Sequence, residues 1–312
     1  MGQRIVDRVA ASPVGPLLKP LLMRPYLRRP DEVDIEVTSS CDADCIMCPR
    51  KRMSRQPGPM ALPLFRKIVD EAVSLGVREL VLNGYGEIST LRNFRDYLAY
   101  IRERSRSIRI VVNTNGMRMR LEIASAYVEF GVDLINIAID GATAETFESI
   151  RKDLKLDTVE ANVRQLIAVR NAAHATRPYI MVNMIYMPQN AHETDLFLEK
   201  WTGVADHAGI VGMVSRLGSV KTSSVNRPSR SKSSPCFLPW RQLPILSDGS
   251  VALCCDDWDG QGQLGNIADH SIEEIWHNHQ RRNIRRLHME GRAGEIDLCG
   301  ACHDPRPAPA WF

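Results

Sequence analysis

Strand-like and helix-like segments alternate six times between residues 33 and 216, and that alternation leaves few architectures open. Apolar, β-branched runs at 33–38, 79–83, 108–113, 134–139, 179–186 and 210–214 read as strands. Between them, 62–75, 94–104, 120–130, 158–172 and 193–204 carry the spacing of amphipathic helices. In the first of these, Phe65, Ile68, Val69, Ala72 and Leu75 fall on one face, and Gly76 can end the helix. Strand–helix–strand units on one sheet are parallel and right-handed, so six strands joined by five helices predict an α/β fold with helices outside a parallel sheet. Functional loops of such sheets follow the C-terminal ends of the strands. With 44% hydrophobic residues over 312 positions, the chain can build one large domain, or a large one and a small one.

The loop after the first strand holds Cys41-Asp42-Ala43-Asp44-Cys45-Ile46-Met47-Cys48. Three thiolates at this spacing fit three corners of a cuboidal [4Fe–4S] cluster. The fourth iron is then open, as a cluster needs in order to act on a bound molecule. Zinc is the competing reading. It commonly takes CxxC pairs and a fourth Cys or His, and no His lies among or beside these three. Five further cysteines, Cys236, Cys254, Cys255, Cys299 and Cys302, gather toward the other end. Thiols in two groups are not a dispersed disulfide scaffold, and their need to stay free points to a reducing cytoplasm.

A net charge of +3 argues against a dedicated nucleic-acid binder. The apolar run at 14–22 is broken by prolines and flanked by arginines, too short to span a membrane. Residues 1–32 thus read as an N-terminal extension packed on the main domain. Segment 217–235 is serine-rich, with Lys221, Arg227, Arg230 and Lys232 and no acid. It reads as a linker or mobile loop, with a lid over an anionic substrate as the alternative.

The CxxxCxxC loop following a strand resembles the signature of the radical S-adenosylmethionine (SAM) enzymes, and the resemblance runs from residue 33 to about 303. It implies a partial (β/α)6 TIM-like barrel over 33–216. Cys41, Cys45 and Cys48 would hold a cluster that chelates SAM and cleaves it to a 5′-deoxyadenosyl radical, which takes a hydrogen atom from substrate. Asn83-Gly84-Tyr85-Gly86-Glu87 is similar to the family's GGE motif, with Tyr85 separating the glycines. Gly84 and Gly86 would let backbone approach a ligand, and Glu87 would accept from the SAM ammonium. Asn113-Thr114-Asn115-Gly116 resembles the TNG turn. Arg151 matches the residue that pairs with the SAM carboxylate, a task the guanidinium fork suits. Many relatives carry Ser where Ala138 stands; Asn136 or Asn183 could replace that polar contact. Backbone near Met47 would meet the adenine.

Residues 236–312, with Pro239-Trp240, Asp248-Gly249-Ser250-Val251 and Leu264-Gly265-Asn266-Ile267, resemble the SPASM/Twitch region. The resemblance implies one auxiliary [4Fe–4S] cluster on Cys236, Cys254, Cys299 and Cys302. Cys255 is then left over, because neighbours on an extended strand face opposite ways. It is either an inert thiol or one that gives a hydrogen atom to a substrate radical. The implied reaction is a two-electron oxidation of a small metabolite, such as an alcohol on a sugar or aminocyclitol. Peptide modification and epimerisation through Cys255 are alternatives, and an iron–sulfur carrier or sensor is the non-enzymatic one. An external electron donor such as flavodoxin or ferredoxin is implied as partner.

Overall fold

A computed structural model describes residues 26–220 and 235–303. Most of the N-terminal extension and the basic residues Lys221, Arg227, Arg230 and Lys232 lie outside the described residues. The strands are β1 (Glu32–Ile35), β2 (Asp44–Cys45), β3 (Glu79–Leu82), β4 (Arg109–Thr114), β5 (Leu134–Ala138), β6 (Arg151–Lys152), β7 (Tyr179–Tyr186), β8 (His207–Gly212) and β9 (Gln242–Ile245). The helices are α1 (Leu62–Ser74), α2 (Phe94–Arg104), α3 (Leu121–Glu129), α4 (Ala144–Ile150), α5 (Leu156–Ala172), α6 (Thr194–Trp201), α7 (Leu238–Arg241), α8 (Ile272–Trp276), α9 (His279–Met289) and α10 (Asp297–Gly300).

Seven strands form one sheet in the order β8-β7-β5-β4-β3-β1-β9, every pair parallel. β8 and β9 are its two edges, so the barrel is partial and open, as the family resemblance implies. Alternate residues explain the layering. Val33, Ile35, Leu80, Leu82, Ile110, Val112, Ile135, Ile137, Ile180 and Val182 join the buried core with helix residues such as Phe65, Ile68 and Leu166. The intervening positions turn the other way and include Asp34, Asn113, Asn136 and Asn183. α1 ends where expected, with Gly76 in the left-handed region at φ +71°.

Two elements escape the periodicity. α4 has seven residues, too few to show a repeat. It is fixed by polar capping: the Thr143 side chain accepts from Thr146 N–H, and Glu193 takes the N–H groups of Ala142 and Thr143 and both threonine hydroxyls. β9 is a four-residue strand with Pro244 inside it, tolerated because it lies at the sheet edge. It pairs in parallel with β1, from Glu32 opposite Gln242 to Ile35 opposite Ile245. The seventh strand thus comes from beyond the segment expected to link the two regions. Among the described residues no helix is long and apolar enough to cross a membrane.

Asp34 is the anomaly of the sheet. Neither carboxylate oxygen has a hydrogen-bond partner. Burial, then the neighbouring Glu32 carboxyl, pushes its pKa well up. With no donor to stabilise its charge, the buried carboxyl keeps its proton. The folded chain therefore holds this proton more tightly than the unfolded chain does. Asp34's contribution to stability is full below the unfolded-state pKa and is lost as pH rises through the higher folded value. Asp34→Asn should raise stability near neutral pH by on the order of 1 kcal/mol and flatten its fall with rising pH, measured by urea unfolding across a pH series.

Candidate active site

The C-terminal ends of β1, β3, β4, β5 and β7 open onto one cavity of about 360 Å³. It is lined by Cys41, Cys45, Met47 and Cys48, by Gly84 to Glu87, by Asn113, Asn115, Asn136 and Arg151, and by Arg216 and Cys255 from the far side. The first cysteine loop and the C-terminal region therefore face each other across a single space.

Glu36, directly after β1, organises the rim. Its Oε1 accepts from Tyr85 N–H (3.0 Å) and its Oε2 from Ser247 N–H (3.1 Å), while Arg55 donates to both at 3.0 and 2.7 Å. Gly84 and Gly86 sit hard against this segment. A Cβ on Gly84 would lie 2.4 Å from Glu36 Cγ, and one on Gly86 2.1 Å from the Thr38 carbonyl oxygen. Both glycines line the cavity, but the atoms that exclude a side chain there are the protein's own, not a ligand's.

Glu87 is 2% exposed and nearly saturated. Oε1 accepts from Ser89 N–H (3.1 Å), Ser89 Oγ (2.6 Å) and Thr114 Oγ1 (2.7 Å), and Oε2 from Asn115 N–H (2.7 Å). Burial raises its pKa, and the bonds from Ser89, Asn115 and Thr114 pull it back. Glu87 thus ties the end of β3 to the end of β4, with Oε2 keeping the spare acceptor capacity.

The cysteine loop is pinned from two sides. β2 pairs antiparallel with β6, setting Cys45 opposite Arg151. Asp42 accepts from Asn115 Nδ2 (2.9 Å) and Arg118 Nε (2.7 Å). Arg151 is buried, and its Nε and Nη2 each lie 2.7 Å from Oδ2 of the fully buried Asp140. Its Nη1 lies 3.8 Å from Cys45 Sγ. Most of the fork expected to meet a ligand carboxylate is thus engaged by a carboxylate of the chain. Burial pushes the Cys41 thiol up to about 12; it raises Cys45 too, against the opposing pull of Arg151. Metal must displace these protons.

Asn183 Nδ2 donates to Asn136 Oδ1 (2.5 Å), and Asn136 Nδ2 to Asn113 Oδ1 (2.9 Å). Asn136 therefore supplies polarity beside Ala138, and Asn183 acts through it. Arg216 was not foreseen. It donates to Asp256 (2.6 Å) and stacks 5.5 Å from the Tyr85 ring. Burial works against its charge, but Tyr85 and Asp256 more than offset this. Its place just past the last barrel strand was the available signal.

The second group assembles beside α9. His288 Nε2 lies 3.6 Å from Cys299 Sγ, and its Nδ1 accepts from Cys236 N–H (3.3 Å). Cys299 interacts electrostatically with Cys236 and Cys302, and Cys254 with Cys299. Burial pushes Cys299 up to about 12 and His288 down to about 4, so the imidazole is neutral. Cys255 instead reaches the barrel cavity. Among the described residues no three His, Cys, Asp or Glu side chains close on one point as a single ion requires. A four-iron core sets its thiolates farther apart than one ion does, and all-sulfur donor sets suit it.

Residues 35–200, more than half of the chain, match the Radical SAM superfamily, and the chain belongs to that superfamily. Residues 236–303 match the SPASM iron–sulfur cluster-binding domain. Over 275 residues the chain is 22% identical to the S-adenosyl-L-methionine-dependent 2-deoxy-scyllo-inosamine dehydrogenase of Niallia circulans, covering 87% of this chain and 92% of the relative. The crystal structure of BtrN in complex with AdoMet and 2-DOIA superposes with a TM-score of 0.61 at 18% identity, covering 91% and 98% of the two chains. Streptococcus suis SuiB bound to precursor peptide SuiA gives 0.68 at 12% identity, covering 86% and 70%.

Glu87→Gln sets an amide donor against the donors that Glu87 now receives. It should cost about 1–3 kcal/mol in urea unfolding, and SAM binding by calorimetry should weaken in parallel.

Proposed function

We propose that this enzyme carries out a net two-electron oxidation of a hydroxyl group on a small polyol, sugar or aminocyclitol. The similarity to an aminocyclitol dehydrogenase over nearly the full length of both chains carries this reading. Bound SAM and its cluster supply the oxidising power, as a carbon radical able to abstract hydrogen. Cys41, Cys45 and Cys48 hold that cluster. Asn115 and Arg118 brace the loop through Asp42, and Arg151 keeps a positive charge at Cys45. Glu87 Oε2 would accept from the SAM ammonium, and Gly84, Gly86 and the Met47 backbone would shape the rest of that subsite. Asn113, Asn136 and Arg216 offer polar groups to a hydroxylated substrate in the same cavity. Alcohol oxidation removes one hydrogen atom, one proton and one electron from a carbinol, leaving a ketone, with the proton released to water. Cys236, Cys254, Cys299 and Cys302 would hold the auxiliary cluster, which would supply a one-electron acceptor there. An external one-electron donor such as flavodoxin or ferredoxin would be needed to reduce the first cluster.

Cys255 supports a second reading, because it lines the cavity while its neighbour Cys254 belongs to the other cysteine group. A thiol there can return a hydrogen atom to a substrate radical, which gives epimerisation rather than oxidation.

Reconstituted protein should hold about eight iron atoms per chain, against about four if only one cluster forms. With SAM and reductant it should release 5′-deoxyadenosine, and Cys45→Ala should release none; a variant that still does so removes the central assignment. Product lighter by two hydrogens, with turnover kept in Cys255→Ala, supports oxidation. Solvent deuterium in a product of unchanged composition, with turnover lost in Cys255→Ala, supports epimerisation instead.

A further inference from the structure

α9 buries two arginines that take no part in the chemistry proposed for the barrel cavity. Arg281 and Arg285 are 1% and 6% exposed. Both stack on Trp276, with Cζ atoms 4.1 and 4.3 Å from the ring centroid. Their hydrogen bonds reach only main-chain carbonyls. Both Nε atoms donate to Pro239, at 3.3 and 2.9 Å, Arg281 Nη2 donates to Gln242, and Arg285 Nη1 to Trp276 at 3.1 Å. Arg281 Nη1 and Arg285 Nη2 are buried without any partner among the described residues. Two like charges in a protein interior, with no carboxylate bonded to either, demand an anion.

The placement indicates which anion. Residues 281, 285 and 288 follow helical spacing, so the arginines share a face of α9 with His288. His288 touches both Cys299 and the Cys236 backbone. Pro239, which accepts from both arginines, lies three residues beyond Cys236. Burial and then Arg285 work against the charge on Arg281, while Cys254 favours it.

We infer that Arg281 and Arg285 are the built-in counter-charge of the auxiliary cluster and raise its reduction potential, which fits it to accept an electron. This rests on the ligand set Cys236, Cys254, Cys299 and Cys302. A [4Fe–4S] core held by four thiolates is a net anion, and reduction adds one more negative charge. Buried cations beside it favour the reduced form.

The test uses the full chain with Cys41, Cys45 and Cys48 replaced by Ala, so that only the second cluster is loaded and an EPR-monitored redox titration reads its midpoint. Arg281→Gln should lower the midpoint by about 59 mV, a tenfold change in the one-electron equilibrium. Arg281→Lys keeps the charge and should stay close to the parent. Arg285→Gln, at the less buried position, should move the midpoint the same way and serves if Arg281→Gln does not fold. An unchanged midpoint in the folded, iron-loaded glutamine variant overturns the inference. Failure of the parent to bind about four irons removes the ligand set first, and the inference with it.

Discussion

The two carboxylate oxygens of Glu36 receive hydrogen bonds from three separate stretches of chain: Tyr85 in the turn after β3, Ser247 after β9, and Arg55 beyond the cysteine loop. Arg55 also donates to the Trp258 carbonyl (3.0 Å). A buried carboxylate satisfied this fully cannot lose a partner cheaply, because the charge that remains has no water to solvate it. The end of β1, the glycine turn, the exit of the cysteine loop and the turn after β9 therefore share one fixed point. The close approaches at Gly84 and Gly86 are the steric expression of the same constraint.

From that point the two cysteine groups acquire their relation. Cys254 and Cys255 are adjacent in sequence, yet Cys254 is buried within electrostatic reach of Cys299 while Cys255 lines the barrel cavity. The Tyr85 hydroxyl bonds to the Cys255 carbonyl at 3.1 Å, so the glycine turn also holds this segment. A substrate between the two groups would be confined by polar amides and two arginines, each already oriented by a partner. Arg151 is oriented by Asp140, Arg216 by Asp256, and Asn136 by Asn113 and Asn183. Such preorganisation limits the motion of a reactive ligand.

Much of this was legible in the residues. The six strands appear near their expected positions because their apolar periodicity reflects burial under helices. The cysteine spacings point to the two groups because a ligand loop must bring its donors together. What was hidden depends on contacts far apart in sequence. Arg151 reads as a ligand-binding cation, but nothing in the sequence reveals that Asp140 takes two of its nitrogens. Gly84 and Gly86 read as room for a ligand, whereas the crowding comes from Glu36 and Thr38, more than forty residues upstream. β9 was missed because four residues around a proline carry no period. Arg281 and Arg285 resemble surface charges on a short basic helix until their burial is seen.

The pairing of β9 with β1 joins residues 210 positions apart. During synthesis one edge of the first strand therefore stays bare until residues 242–245 have left the ribosome. The cysteine loop hangs from that unfinished edge. Metal delivery to the loop can thus precede closure of the sheet, and the order of assembly becomes a property of the topology.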